Sequence, residues 1–339
     1  MRRSADAFLL ALALLADAPA RADSVADFYR GKSITVVSAG EAGGAHGVYA
    51  QLISAHIKAH VPGNPSIVIQ HMVGAGGNLA MNYLYNAAPR DGSYIGVPLQ
   101  DLIVNARIGV AAVKYDPAAA LYLGGADVTR TTVTVMKASG VASLEDARRK
   151  EVLMGASGKS GQNYVIPTVL NNVLGTRFRV VMGYPGINAV NLAMERGEVH
   201  GHAVSWPVIA GTKKEWIAQK LISNLVTIAL EREPELPDVP ALAELVTSDD
   251  NRTLIALLTA PAALGRAWVA FGDIPKDRLA ALRAAFAATM ADPAFLADAA
   301  ARGLPIRAVD WQAQQAIAAQ ILATPDATVA RLKGILGLD

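Results

Sequence analysis

The sequence contains six histidines and no cysteine. With no thiol available, disulfides, thiolate catalysis and cysteine-ligated zinc are excluded. His56 and His60 stand four apart on one helical face, an interval that suits a metal. No carboxylate sits at a helpful helical offset, so the pair reads as part of a solvated helix. His200 and His202 share one strand face and read as pocket-rim or surface residues. Several fragments imitate catalytic motifs and fail. Gly158-Lys159-Ser160 ends like a phosphate-binding loop, but the first glycine of that motif would fall at Leu153. Gly74-Ala75-Gly76-Gly77-Asn78-Leu79 has two of the three dinucleotide glycines, with Leu79 in place of the third. Ser157 and Ser160 lack the flanking pattern of a nucleophile elbow.

What remains is a device used four times. Segments 38–47, 74–78, 156–163 and 183–188 each place small residues and hydroxyls just ahead of a helix. A helix start exposes unpaired N–H groups and the positive end of its dipole, and so attracts anions. Glycine lets the backbone come close to a ligand. Four such loops on two similar lobes predict an anion site between the lobes, held by peptide dipoles. No cofactor and no metal is expected.

The elements that position these loops can be read from periodicity. Ser33–Val37, Ile67–Ile69 and Tyr94–Val97 are short β-branched or apolar runs that predict strands. Between them, Val48, Leu52, Ile53 and Ile57 recur at helical spacing, and Leu79 to Ala87 predicts a second helix. The same alternation returns with strands at 131–135, 152–155, 180–182 and 199–204, and with a helix through Val165, Val169 and Val173. This order predicts parallel sheets wrapped by helices. A strand at 224–230 turns back toward the first block. The Ala-rich last third predicts helices bearing Leu279, Leu282, Phe286 and Met290, and then Trp311, Ile317 and Ile321.

Composition supports a folded, neutral chain. The 339 residues carry 31 Lys+Arg against 29 Asp+Glu, a net charge of +2, which excludes a cationic nucleic-acid binder. With 52% hydrophobic and 18% charged residues the chain is not disordered. Arg2 and Arg3, the apolar run Phe8–Ala16 and Ala20-Arg21-Ala22 predict a signal peptide over 1–22, cleaved after Ala22.

In order and spacing, several segments resemble the substrate-binding proteins of tripartite tricarboxylate transporters, the Bug family. They are Gly74–Asn78 followed by Ala88-Pro89-Arg90-Asp91-Gly92, Gly155–Gly158 with Gly161, Gly183–Gly186 followed by Ala193–Val199, Leu236–Pro240, Ile274-Pro275 and Asp292-Pro293. The resemblance implies an α/β, two-lobed periplasmic binding protein fold of type II-like form. Each lobe would be a mostly parallel sheet flanked by helices, with two crossing strands as hinge. It implies lobe 1 over 23–127 and 228–339, and lobe 2 over 128–227. It also implies a monomeric periplasmic receptor, not an enzyme, that captures a small organic anion such as a carboxylate and passes it to the transporter's membrane components. First-lobe contacts would come from Ser38, Glu41, Gly43, Gly44, Ala45 and His46 and from Ala75, Gly76, Gly77 and Asn78. Second-lobe contacts would come from Ser157, Ser160, Gln162, Tyr184, Gly186 and Asn188. The first loop departs from the family at Gly40, Ala42, Ala45, Gly47 and Gln51. Glu41 brings a negative charge there, so Glu41 or His46 is expected to meet a polar or cationic group on a larger ligand. Two alternatives stay open: a periplasmic enzyme pairing His46 with Ser157 or Ser160, and a ligand sensor for a two-component kinase.

Overall fold

The computed structural model describes residues 24–159 and 161–338. The expected signal peptide and Ser160 lie outside the described residues. Ten strands form two five-stranded sheets of identical design. The first contains β1 (Ser33–Ser38), β2 (Ser66–His71), β3 (Tyr94–Val97), β4 (Ala120–Gly125) and β10 (Ala267–Phe271), in the order β2-β1-β3-β10-β4. The second contains β5 (Thr131–Met136), β6 (Val152–Ala156), β7 (Phe178–Met182), β8 (Gly201–Ser205) and β9 (Ile222–Thr227), in the order β7-β6-β8-β5-β9. Three strands of each sheet pair in parallel, and one antiparallel strand, β10 or β5, separates them from the edge strand β4 or β9. Each sheet is therefore mixed, with four strands pointing one way.

That design dictates how the lobes are joined. β4 of the first sheet runs into β5 of the second, and β9 of the second leads back to β10 of the first. The antiparallel strand of each sheet thus belongs to chain arriving from the other lobe. The first crossing is short. The second carries the 3-10 turn Leu242–Leu245 and the helix Asp249–Thr259 before it reaches β10. Arg130 of the first crossing holds Glu233 (2.9 Å) and Glu235 (3.0 Å) of the second, and Glu235 also accepts the Trp206 indole N–H at 3.0 Å.

The core follows the sheets. Ile34, Val36, Ile95, Trp268 and Phe286 fill one face of the first sheet. Val37, Met81, Ile103 and Val269 fill the other, in a cluster that continues through Leu254 and Leu332 to Val135, Met154 and Val169 of the second sheet. The helix Asp326–Leu336 makes this bridge by packing on the helix Gln162–Leu174. Val190, Met194, Trp206 and Trp216 cover the second sheet's far side. Among the described residues no single helix is long and apolar enough to cross a membrane.

Two histidine readings are corrected. His56 and His60 do not lie on a solvated face. Each Nε2 meets its own carboxylate, Asp298 at 3.1 Å and Asp292 at 3.0 Å, so the pair staples the helix Ala45–Ile57 and the turn after it, where His60 lies, to the helix Pro293–Ala301 and its N-cap. No group of three or more metal-ligating side chains gathers among the described residues. His202 is neither rim nor surface. It is fully buried, and among the described residues neither ring nitrogen has a partner.

Candidate functional site

All four glycine loops converge on one cleft of about 620 Å³ between the two sheets. Each ends in a helix whose N-cap is a glycine with no side-chain capping bond. These are Gly44 before Ala45–Ile57, Gly77 before Asn78–Asn86, Gly161 before Gln162–Leu174 and Gly186 before Ile187–Glu195. Four helices elsewhere do carry a side-chain cap: Ser143, Ser248, Asp292 and Asp310 each accept a backbone N–H from the first turn of their own helix. A side-chain cap satisfies one of the orphan amides at a helix start. At the cleft, glycine leaves that amide without a side-chain partner. The first sheet supplies two of these helix starts and the second supplies the others.

The loops are held tightly. Ser38 is fully buried, and its hydroxyl donates to the Gly40 carbonyl (3.1 Å) while accepting from the Gly40 N–H (3.3 Å). His71 Nδ1 reaches the same carbonyl at 2.8 Å. Gly47 packs so closely that a Cβ there would stand 2.1 Å from the Glu41 carbonyl oxygen. Substituting Gly47→Ala is expected to displace the loop and cost several kcal/mol, about 1–3 for the overpacking alone. Chemical denaturation compared with wild type checks this. Gly77 adopts φ +88°, which an L side chain resists.

Of the residues expected to contact ligand, Glu41, Gly44, Ala45, His46, Ala75, Gly76, Gly77, Ser157, Gln162, Tyr184 and Gly186 line the cleft. Four others do not. Ser38 lies beneath the loop that it shapes. Gly43 and Asn188 are exposed outside the lining, and Asn78 is buried, donating to the Ala75 carbonyl (2.7 Å) and accepting from Tyr115 (2.9 Å). Glu41 reaches across the cleft: a Cβ on Gly186 would meet its Oε1 at 2.9 Å, so its carboxylate lies against the N-terminus of the helix Ile187–Glu195. His46 does not face Ser157. Its Nε2 lies 3.0 Å from the Gly265 carbonyl and 3.3 Å from Arg266 Nη1, and burial together with the Arg266 charge holds its pKa well below the usual imidazole value.

Sequence reasoning missed three charged residues of the cleft: Lys159 at its exposed rim, Arg266 and Asp101. Arg266, just ahead of β10, is only 2% exposed and lines the cleft floor. Its guanidinium donates to Thr129 Oγ1 and to its neighbour's carbonyl, both at 3.3 Å, and approaches Ser205 Oγ at 3.5 Å. Among the described residues its Nε has no partner and no carboxylate lies within ion-pair distance, but the buried Asp127 acts on it at longer range and its guanidinium lies over the Tyr49 ring, 5.4 Å from the centroid. Asp101, at the start of the helix Leu102–Arg107, accepts from Gln162 Nε2 across the cleft (3.1 Å), and Gln162 Oε1 accepts from Thr131 Oγ1 (2.8 Å). Burial pushes the Asp101 carboxyl up to about 7. The only sequence signal for Arg266 is a lone cation in an apolar run, Ala262-Ala263-Leu264-Gly265-Arg266-Ala267-Trp268. A larger hollow of about 810 Å³ lies between the helix Lys276–Ala291 and Trp311, and none of the four loops lines it.

This fold superposes on solved proteins along nearly its whole length. The periplasmic binding protein BugD superposes with a TM-score of 0.70 over 92% of this chain and 99% of its own, at 17% identity. The chain has the periplasmic binding protein fold. Rpa4515 of R. palustris, solved with adipate, matches at 0.69 with 19% identity over 91% and 98% of the two chains. MatC of Rhodopseudomonas palustris, solved with bound malate, matches at 0.66 with 21% identity over 90% and 99%. No family profile and no curated protein matches the sequence.

Proposed function

We propose that this chain is a periplasmic solute receptor without catalytic activity. In this reading it closes lobe 1 (residues 23–127 with 228–339) and lobe 2 (residues 128–227) on a small organic anion and delivers it to the membrane components of a tripartite tricarboxylate-type transporter. The observation that carries the reading is Arg266: a buried guanidinium with no carboxylate within ion-pair distance among the described residues, on the floor of a cleft into which four helix starts without side-chain caps open. An isolated buried charge is costly unless it is paired. A ligand carboxylate completes that pair and takes the free amides as further donors. The adipate and malate bound by Rpa4515 and MatC support a carboxylate as the anion.

The test is thermal shift and intrinsic tryptophan fluorescence of the chain without its first 22 residues against a panel of organic anions. A ligand at a hundredfold its Kd stabilises the folded form by about 2.7 kcal/mol, and a rise in melting temperature that saturates with concentration is expected. A flat response across carboxylates, sulfonates and phosphates would remove the reading.

A further inference from the structure

The cleft carries more acid than an anion receptor needs. Glu41 and Asp101 line it together with Arg266, Lys159 and His46. Lys159 is exposed at the rim, and His46 is held neutral by burial and by Arg266. Glu41 has a counterpart already, since its carboxylate lies against the helix start at Gly186. Asp101 has none. Although it occupies an N-cap position it bonds no helix amide, and its partner is the neutral side-chain amide of Gln162. The other titratable group facing it is the phenol of Tyr115, itself pushed up by burial. No basic side chain lies within ion-pair distance of Asp101 among the described residues.

Arg266 and Asp101 are tied to neighbouring points of the first crossing. Arg266 is held by Thr129, and Asp101 is held through Gln162 by Thr131. The cleft floor thus presents one cation and one acid, neither with an opposite charge within ion-pair distance among the described residues, anchored to positions two residues apart. A dicarboxylate on Arg266 would press its second charge toward Asp101 and Glu41, and like charges in a desolvated site repel. A ligand with a carboxylate at one end and an ammonium at the other complements both.

We propose that the cleft selects an amino-carboxylate, with its carboxylate on Arg266 and its ammonium on Asp101, which makes Asp101 the specificity-determining residue. This rests on the anion-receptor reading and narrows it.

Matched pairs that differ only in the second group decide the matter: 4-aminobutyrate against succinate and 6-aminohexanoate against adipate, alongside the standard α-amino acids and their dicarboxylate counterparts. Titration calorimetry from pH 6 to 8.5 supplies a readout that a structural role does not move. An ammonium needs ionised Asp101, so amino-carboxylate affinity should fall below about pH 7, by up to about tenfold per pH unit. A dicarboxylate gains when Asp101 takes a proton, so its affinity should change in the opposite direction. The expected result is at least tenfold tighter binding of the amino member, with the acid-side loss. Asp101→Asn keeps an acceptor for Gln162 and should abolish both the preference and the slope without lowering the melting temperature. Dicarboxylates binding equally well or better, or amino-carboxylate affinity that holds or rises as pH falls, overturn the inference and leave the receptor reading standing. If neither class binds, both are lost.

Discussion

Arg266→Met is expected to abolish anion capture and leave the fold as stable as wild type or more so. Charge-assisted hydrogen bonds contribute about 1.5–3 kcal/mol each. A carboxylate that engages the fork through two of them loses about 3–6 kcal/mol, or two to four orders of magnitude in affinity. The unliganded protein changes in the other direction. Arg266 is desolvated, and among the described residues its Nε donates to nothing. Its remaining contacts to Thr129 and Ser205 are long, at 3.3 and 3.5 Å. Replacing this buried charge with an apolar side chain of similar length removes a desolvation cost, and Asp127, which Arg266 favours at longer range, keeps Arg130 at 3.9 Å. Calorimetric titration should therefore show lost binding, while the apo melting temperature holds or rises. Arg266→Lys keeps the charge without the fork and should fall between the two. Retention of wild-type affinity by Arg266→Met would show that backbone amides alone hold the ligand.

Acid should destabilise this protein unusually early, and His202 is the main reason. The imidazole is fully buried in β8, both nitrogens are without partners among the described residues, and burial lowers its pKa to about 3 from the usual 6.5. A histidine depressed in the folded state binds its proton more readily when unfolded. Its stabilising contribution is therefore complete above about pH 6.5 and is lost as pH falls toward 3. Integrated over that window the loss is up to about 5 kcal/mol. His46 is also depressed and acts in the same direction. His202→Leu should flatten the acid limb of the stability curve. At pH 8 it should also stabilise, because leaving a buried polar group unbonded costs about 1–3 kcal/mol. Urea midpoints measured from pH 8 to 4 test this. Wild-type and variant curves that stay parallel throughout would assign the acid loss elsewhere.

The four loops were legible because each pairs a small-residue run with a helical repeat directly after it, and both signals are local. The parallel strands were legible from their β-branched runs. β10 was not, because Ala267-Trp268-Val269-Ala270-Phe271 is buried on both faces and has no alternation. β4, Ala120–Gly125, is nearly as enclosed and ends in two glycines. Both lie where the chain changes lobe, so their pairing depends on contacts far apart in sequence. Arg266 and Asp101 were missed for the same reason. A single charge beside Gly265, or after Gln100, has no local pattern. It gains meaning only when Thr129, Ser205 and Gln162 are brought around it. The acid partners of His56 and His60 are equally non-local, because Asp298 and Asp292 sit more than 230 positions downstream.

The shared plan of the two sheets also sets the order in which a growing chain can finish them. Every strand of the second sheet lies between residues 131 and 227, whereas the first sheet lacks the strand that joins β3 to β4 until residue 271 has been made. The half that begins first is thus completed last, and its edge strand stays unpaired while the later half closes. Until then β4 is an open template for mispairing, and a chaperone that holds the nascent protein has its longest task at the amino-terminal half.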